Sequence, residues 1–470
     1  MAVPLLLAAS VAAAGGSSSA AQMPAGQTTP PGAGPITEAY REPAGRMIGA
    51  ALTDEEGWEK LTHLTTRIGH RLSGSSGLER AIAWADEAMR AEGLDVTLQP
   101  VMVPHWVRGE EYARVVAPVT RRLSILGLGN SVGTGGEPIE APVVVVGSFE
   151  ELERLGRSAV EGRIVLFAVE WEGYGRTVQY RSGGASAAAR LGAVAALVRS
   201  ATGNSLYTPH TGAMNYAEDA PRIPAAAVTV EDAAWMRRMA EAGETVTVRL
   251  YMEAEMLPDA QSYNVIAEIP GSEAPDEVVV MGGHYDSWDV GQGAHDDGAA
   301  CIAAWHALTI IKRLGLVPRR TLRVVLWTNE ENGLRGGNAY RDWVGDDVAK
   351  HVAAIEMDGG NERPVGYGVT VEGDGQERAL GLARQIGALL DGVDGGLIEG
   401  GGGGADIGPL MRAGVPGLGF RTVGEHYFDW HHTDADTIDK IEKTDFRKAV
   451  AMLAVMGFVL ADMPETLSGG

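Results

Sequence analysis

Residues 277–314 read EVVVMGGHYDSWDVGQGAHDDGAACIAAWHALTIIKRL. The opening run of valines predicts a strand, which stops at Gly282, Gly283 and His284. A loop rich in Gly and Asp follows, and the apolar, Ala-rich stretch predicts a helix over Asp297–Leu314. A strand that ends in polar residues and returns through a helix is the repeating unit of an open α/β sheet. Such sheets place their chemistry in loops at the carboxyl ends of the strands.

The same unit recurs outward from this stretch. Downstream, TLRVVLWTNEE, KHVAAIEMDGG, VGYGVTV and VPGLGFR read as strands, separated by helical patterns over Gly336–Val344, Gln376–Leu390 and Thr444–Ala461. Upstream, NVIAEIP reads as a strand. Near the start, Trp58, Leu61, Leu64 and Ile68 have helical spacing, followed by a Ser/Gly loop, a second amphipathic helix and the strand DVTLQPVMVP. Between these parts the character changes. The short β runs APVVVVG, GRIVLFAV, AVAALV, PAAAVTV and TVTVRLYM are broken only by small helical patterns at Ser186–Leu191 and Val230–Ala242. The expected fold is therefore α/β: a mixed sheet covered by helices on both faces, built from residues 37–118 and 256–470, with a mainly β insert at 119–255. There is no internal repeat.

The 470 residues suffice for two or three domains, and a net charge of −23 argues against nucleic acid and anionic membranes as partners. The single cysteine, Cys301, rules out an intrachain disulfide and a cysteine-based zinc site. Residues 1–21 resemble an atypical signal peptide: an apolar segment and small residues, with no basic residue before Arg41. Residues 22–36, rich in Pro, Gly and Thr, read as a disordered tether, so a periplasmic or secreted location is expected. The apolar run Ala449–Ala461 is too short to span a bilayer and reads as a core helix.

Three strand ends, one helix start and one aromatic loop carry the candidate chemistry. His284 and Asp286, two apart, project to one side if the strand continues, so the Asp286 carboxylate is expected to orient the His284 ring. In GAHDDG, Asp297 stands where a helix N-cap is expected, and Asp296 is left to point toward the strand ends and bridge two cations. Glu330 and Glu331 are adjacent, so one can ligate a metal while the other handles a proton. Asp358 is preferred as a ligand over Glu356, which lies within its strand. YFDWHHTDADT supplies one further histidine, His431 or His432. One metal would take His284, Asp296 and Asp358; the other would take Asp296, Glu331 and a histidine of that pair, leaving positions open for water or substrate.

At these residues the chain resembles the M28 family of zinc exopeptidases, and within it the carboxypeptidase Q (plasma glutamate carboxypeptidase) branch. DSWDVGQGAHDDGAA, TLRVVLWTNEENG, GRTVQYRSGGASAAARLGA, YTPHTG, IPAAAVTVEDA and HHTDADT carry the likeness, which extends from about residue 40 onward. The resemblance implies two Zn2+ per subunit held by His284, Asp296, Glu331, Asp358 and His432, with Glu330 as general base. It also implies a protease-associated (PA-like) insert, a homodimer, a cis peptide between Asp296 and Asp297, and dipeptides or short peptides as substrates. The chain departs from the family pattern at His295 and Asp434, and neither departure removes a ligand.

The expected activity is peptide hydrolysis by zinc-activated water, with Glu330 as base. An aminopeptidase of longer peptides, a one-zinc glutaminyl-cyclase-like acyltransferase and a receptor-like binding protein are the rival readings. The glycine run Gly400–Gly404 is expected to form a mobile pocket wall, with Asp406 meeting a substrate amine. Among Arg176, Arg181 and His210 of the insert, one is expected to meet a substrate carboxylate, for which Arg has the geometry.

Overall fold

The computed structural model describes residues 32–469. The expected signal peptide, and most of the expected tether, lie outside the described residues. Two eight-stranded sheets organise the chain. The first runs in the order Asp95–Val107, Glu255–Ile269, Arg320–Trp327, Ala274–His284, His351–Glu356, Gly417–Thr422, Pro364–Thr370 and Leu397–Gly400. Its centre is parallel: Ala274–His284 lies between Arg320–Trp327 and His351–Glu356, each pairing parallel to it. Toward one edge, Asp95–Val107 and Glu255–Ile269 form a long antiparallel pair.

Alternation along the central strand explains why helices cover both faces. Val279 and Met281 join the core under helices Pro35–Thr53, Ala299–Arg313 and Lys443–Asp462. Val278 and Val280 face the opposite core with Val325, Trp327, Tyr340 and Leu410. Helix Ala299–Arg313 is buried along its length from Ala299 to Ile311, because its alanines let it sit between the sheet and helix Lys443–Asp462. The expected core role of the C-terminal apolar run is borne out, as every residue from Ala449 to Ala461 is buried. Among the described residues, no helix is long and apolar enough to cross a membrane.

The second sheet runs Arg121–Leu123, Glu111–Ala117, Thr247–Met252, Ile139–Val146, Ile164–Phe167, Ala195–Arg199, Ala225–Val228 and Ile125–Gly127. Two expectations are corrected here. Strand Glu111–Ala117 belongs to this sheet, so the change of character falls before residue 111 rather than at 118/119. Nor is the segment mainly β, for the helices Phe149–Leu155, Arg157–Val160, Tyr174–Arg190 and Val230–Glu241 lie among its strands. Helix Tyr174–Arg190 buries Gly184, Ala185, Ala188 and Ala189 rather than large apolar residues. Its sequence therefore lacks the apolar stripe by which a helix is read.

Candidate metal centre

Strand register assembles the site. His284 pairs with Trp327, so the loops after both strands leave the sheet side by side. Gly282 pairs with Glu356, which puts His284 and Asp358, each two residues further on, at the same level. The loop from Tyr285 then turns back through Asp296 into helix Ala299–Arg313, and the segment after strand Gly417–Thr422 delivers His431 and His432. All five expected ligands meet in this way. His284 Nε2 lies 3.0 Å from Asp296 Oδ1 and 3.6 Å from Asp358 Oδ1. His432 Nε2 lies 3.0 Å from Glu331 Oε2 and 3.3 Å from Asp296 Oδ2. His431 Nε2 stays 3.8 Å from Asp296 Oδ2, with its ring stacked on that of His432 at 3.5 Å between centroids.

The electrostatics are those of carboxylates crowded together out of water. Burial alone would push Asp296 up; His284 and His432 outweigh it and hold Asp296 well below the usual carboxylate range. Burial and then Asp296 push Glu331 up to about 7, against His432. Glu330 is pushed well up by burial and by its Asp358, Glu331 and Asp286 neighbours, with His284 opposing. The donor set fits divalent metal. Asp296 Oδ2 and Glu331 Oε1 are buried without a hydrogen bond, an expensive state unless a cation meets them. Ligand atoms of His284, Asp296 and Glu331 lie within 4.8 Å of one another, as do those of Asp296, His431 and His432. Imidazole and carboxylate without thiolate is a zinc-type set.

Buried groups around the ligands fix their positions, not always as expected. The His284 Nδ1–H donates to the main-chain carbonyl of Asp286 at 3.0 Å, while the Asp286 carboxylate is 3.8 Å away. That carboxylate instead accepts from the main-chain N–H of Glu330 at 3.0 Å and of Glu331 at 3.3 Å. Asp286 therefore supports the acid pair more directly than the histidine. Asp297 is not the expected cap. The helix has no side-chain cap at its start, and both Asp297 carboxylate oxygens are buried without a hydrogen bond. The Asp296–Asp297 peptide is cis, as the resemblance implies. His295 is buried, its Nε2 3.2 Å from the Lys440 carbonyl and its Nδ1 accepting from Asn361 N at 3.1 Å.

Two residues that hold the ligand loop were missed from the sequence. Arg71, fully buried, donates to the carbonyls of Tyr285, Gln292 and Gly293 at 2.8–2.9 Å and so ties both ends of the loop from His284 to Asp296. Asp436 accepts from the N–H groups of Ala294, His295 and Asp296 at 3.0, 2.7 and 3.2 Å. Asp436 lies in the HHTDADT motif, a signal that could have found it; Arg71 stands alone in a Ser/Gly loop and offers none.

A cavity of about 560 Å³ opens onto the candidate ligands, and its lining includes Glu330, Glu331 and Asp358 together with Asn130, Tyr174 and Arg181 of the second sheet's unit. Arg181 thus reaches the cavity, but His210 and Asp406 do not line it. His210 is buried behind the ligand loop, its Nδ1 2.8 Å from the His431 carbonyl. Burial lowers its pKa to about 3. Asp406 is buried beside Glu356, and burial and then Glu356 push it well up. The glycine run is not a pocket wall either. A Cβ on Gly402 would stand 2.3 Å from the Gly368 oxygen, and one on Gly404 2.0 Å from the Glu356 carboxyl carbon. Only glycine allows this backbone to pack so closely on the sheet. Arg176 is exposed and paired with Glu172 at 3.5 Å.

Comparison with known proteins gives this geometry a context. The model of peptidase family M28 matches residues 264–456, a stretch containing every candidate ligand. The chain is 41% identical to carboxypeptidase Q of Mus musculus over 432 residues, covering 91% of each. It is 43% identical to carboxypeptidase Q of Homo sapiens over 411 residues, covering 87% of this chain and 86% of that one. Among solved structures, a peptidase M28 precursor from Shewanella amazonensis superposes with a TM-score of 0.87 at 33% identity, covering 92% of this chain and 98% of that chain. A zinc aminopeptidase from Bacillus subtilis shares the fold, with a TM-score of 0.66 at 20% identity over 88% of this chain and 96% of its own.

Proposed function

This chain belongs to peptidase family M28, and on that premise we propose that it is a two-zinc exopeptidase of dipeptides and short peptides with free ends. The observation that carries the reading is the division of one carboxylate. Asp296 Oδ1 faces His284 at 3.0 Å, and Oδ2 faces His432 at 3.3 Å. A buried carboxylate that faces two half-sites, one oxygen to each, would suit a two-metal hydrolase. His284, Asp296 and Asp358 would hold one zinc, and Asp296, Glu331 and His432 the other. Bound zinc would supply Lewis-acid polarisation of the peptide carbonyl and acidify the attacking water.

The chain's own groups do the rest. Glu330 lines the cavity beside Glu331 and Asp358, with its main-chain N–H held by Asp286. Its carboxylate takes the proton of the attacking water and returns it to the departing amine nitrogen. Arg181 is the one Arg or Lys among the cavity-lining residues, and its Nε is buried without a hydrogen bond. It supports capture of a free carboxylate beside His432, whose Nδ1 lies 3.3 Å from Arg181 Nη1. The homodimer rests on the family likeness alone, and export on the apolar N-terminus; the division into a catalytic domain and a PA-like insert is supported by the two separate sheets.

One experiment tests the reading. Zinc content is measured together with turnover of free dipeptides and of N- and C-blocked tripeptides, for the wild type and for Glu330→Gln. Phenanthroline is expected to abolish activity and zinc to restore it. Glu330→Gln should keep its zinc and lose about 10²–10⁴-fold in kcat. Wild-type turnover by a zinc-loaded Glu330→Gln protein would remove the base assignment, and preference for the blocked peptides would remove the substrate class.

A further inference from the structure

The second sheet's unit does more than wall the cavity. Its segment His210–Thr211 grips the loop of metal ligand His432 from behind. The Thr211 N–H donates to the His432 carbonyl at 3.0 Å. The His432 Nδ1 lies 3.2 Å from the Thr211 carbonyl, and the His210 Nδ1 lies 2.8 Å from the His431 carbonyl. His432 has a φ of 61°, a left-handed conformation that non-glycine residues seldom adopt and that its surroundings must enforce. The gripping segment is itself fixed within its own unit. The His210 N–H donates to Ser200 Oγ at 2.9 Å, and the Thr211 hydroxyl donates to the Gly127 carbonyl at 2.7 Å.

Hydrogen-bond chemistry gives these contacts a direction. An imidazole that binds metal through Nε2 carries its proton on Nδ1, and that proton needs an acceptor. The Thr211 carbonyl is an acceptor and cannot donate. Arg181 Nη1, 3.3 Å from the same Nδ1, is a donor; it also lies 3.3 Å from the Thr211 carbonyl and can send its proton there. With Nδ1–H aimed at Thr211, the Nε2 lone pair faces Asp296 and Glu331. We propose that His210 and Thr211 are positioning residues for His432, so that the second sheet's unit completes one half of the metal centre. This rests on the two-zinc reading above and goes beyond it by locating the support for one zinc in a unit that contributes no ligand.

The test reads zinc, not only turnover. Wild type, His210→Ala and His210→Asn are equilibrated at graded free zinc, and bound metal is measured by mass spectrometry, with melting followed alongside. Asn can place an amide N–H near the position of the lost Nδ1–H. His210→Ala is expected to weaken one zinc of the two by about 10–100-fold while the other stays bound, and His210→Asn to recover most of that loss. kcat should fall with occupancy, with KM for short peptides little changed. Thr211→Val, which removes the hydroxyl that donates to Gly127 and accepts from Arg108 Nη2 at 3.4 Å while keeping the Thr211 main chain, should give a smaller shift in the same direction and serves if His210→Ala does not fold. Unchanged affinity for both zincs in His210→Ala, or in Thr211→Val in its place, overturns the inference and leaves the two-zinc reading standing. Wild type that never binds a second zinc overturns the reading itself, and the inference with it.

Discussion

Arg71 shows how much of this centre depends on a side chain that touches no ligand. Three of its donors reach the carbonyls of Tyr285, Gln292 and Gly293, and Nη1 also reaches that of Gly69. A lysine in its place has a single ammonium and cannot span these carbonyls. Arg71→Lys is expected to lower stability by about 1–3 kcal/mol, since it leaves buried carbonyls unpaired. It should also weaken zinc binding, because the loop carries His284 at one end and Asp296 at the other; denaturant melts and zinc titration check both. Unchanged zinc affinity would show that the loop holds its shape without Arg71. Single residues were legible in the sequence where they close a strand, as with His284, Glu331 and Asp358. Arg71 was not, because a buried Arg in a Ser/Gly loop looks like any surface Arg. Asp406 was misread for the converse reason: an Asp one residue beyond five glycines looks solvated, yet it is buried beneath helix Arg335–Val344, against Gly337.

Strands and helices of the first sheet were read from apolar periodicity because burial there depends on large side chains. Helix Lys443–Asp462 and strand Ala274–His284 are examples. Helix Tyr174–Arg190 escaped because its buried face is Gly and Ala, and helix Pro35–Thr53 was not read across its internal Pro43. Strand His351–Glu356, which carries Asp358 into the site, begins with a buried histidine that makes a prediction of its own. The His351 Nε2 is 3.0 Å from the Tyr340 hydroxyl, and its Nδ1 is 3.1 Å from the Asp347 carbonyl. Burial lowers its pKa from 6.5 to about 4. Between those values the unfolded chain binds the extra proton, so stability falls as pH drops through that window and is unaffected by this group above it. Compared with His351→Gln, the wild type should lose up to about 3 kcal/mol between pH 6.5 and 4. Denaturant melts of the two proteins across that range read it. Parallel pH profiles would show that His351 does not titrate abnormally.

At the scale of the molecule, the question is what holds the two sheets in the relation that forms the cavity. Neither unit alone makes it, since Glu330 and Asp358 come from one and Asn130 and Arg181 from the other. The sequence indicated that two units exist, from the change of character along the chain. Their docking was not legible, because it rests on pairs far apart in sequence. Arg108, at the crossing between the sheets, binds Asp289 of the ligand loop with two contacts, Nε to Oδ2 at 2.7 Å and Nη2 to Oδ1 at 2.5 Å. It also reaches the Gly127 carbonyl at 2.6 Å and the Glu111 carboxylate at 3.3 Å. The pair is mostly buried, with 10% and 18% of the side chains exposed, so removing one partner strands a charge. Arg108→Ala is expected to cost about 3–5 kcal/mol, and Arg108→Met with Asp289→Leu to recover part of that. If the pair sets the docking, kcat/KM for short peptides should fall at least about ten-fold, the scale of one lost contact of 1.4 kcal/mol, in both proteins. The double variant recovers part of the stability without restoring the fork that orients the units. A double variant that regains full kcat/KM would show that Arg108 and Asp289 serve stability alone, and that the cavity is held together elsewhere.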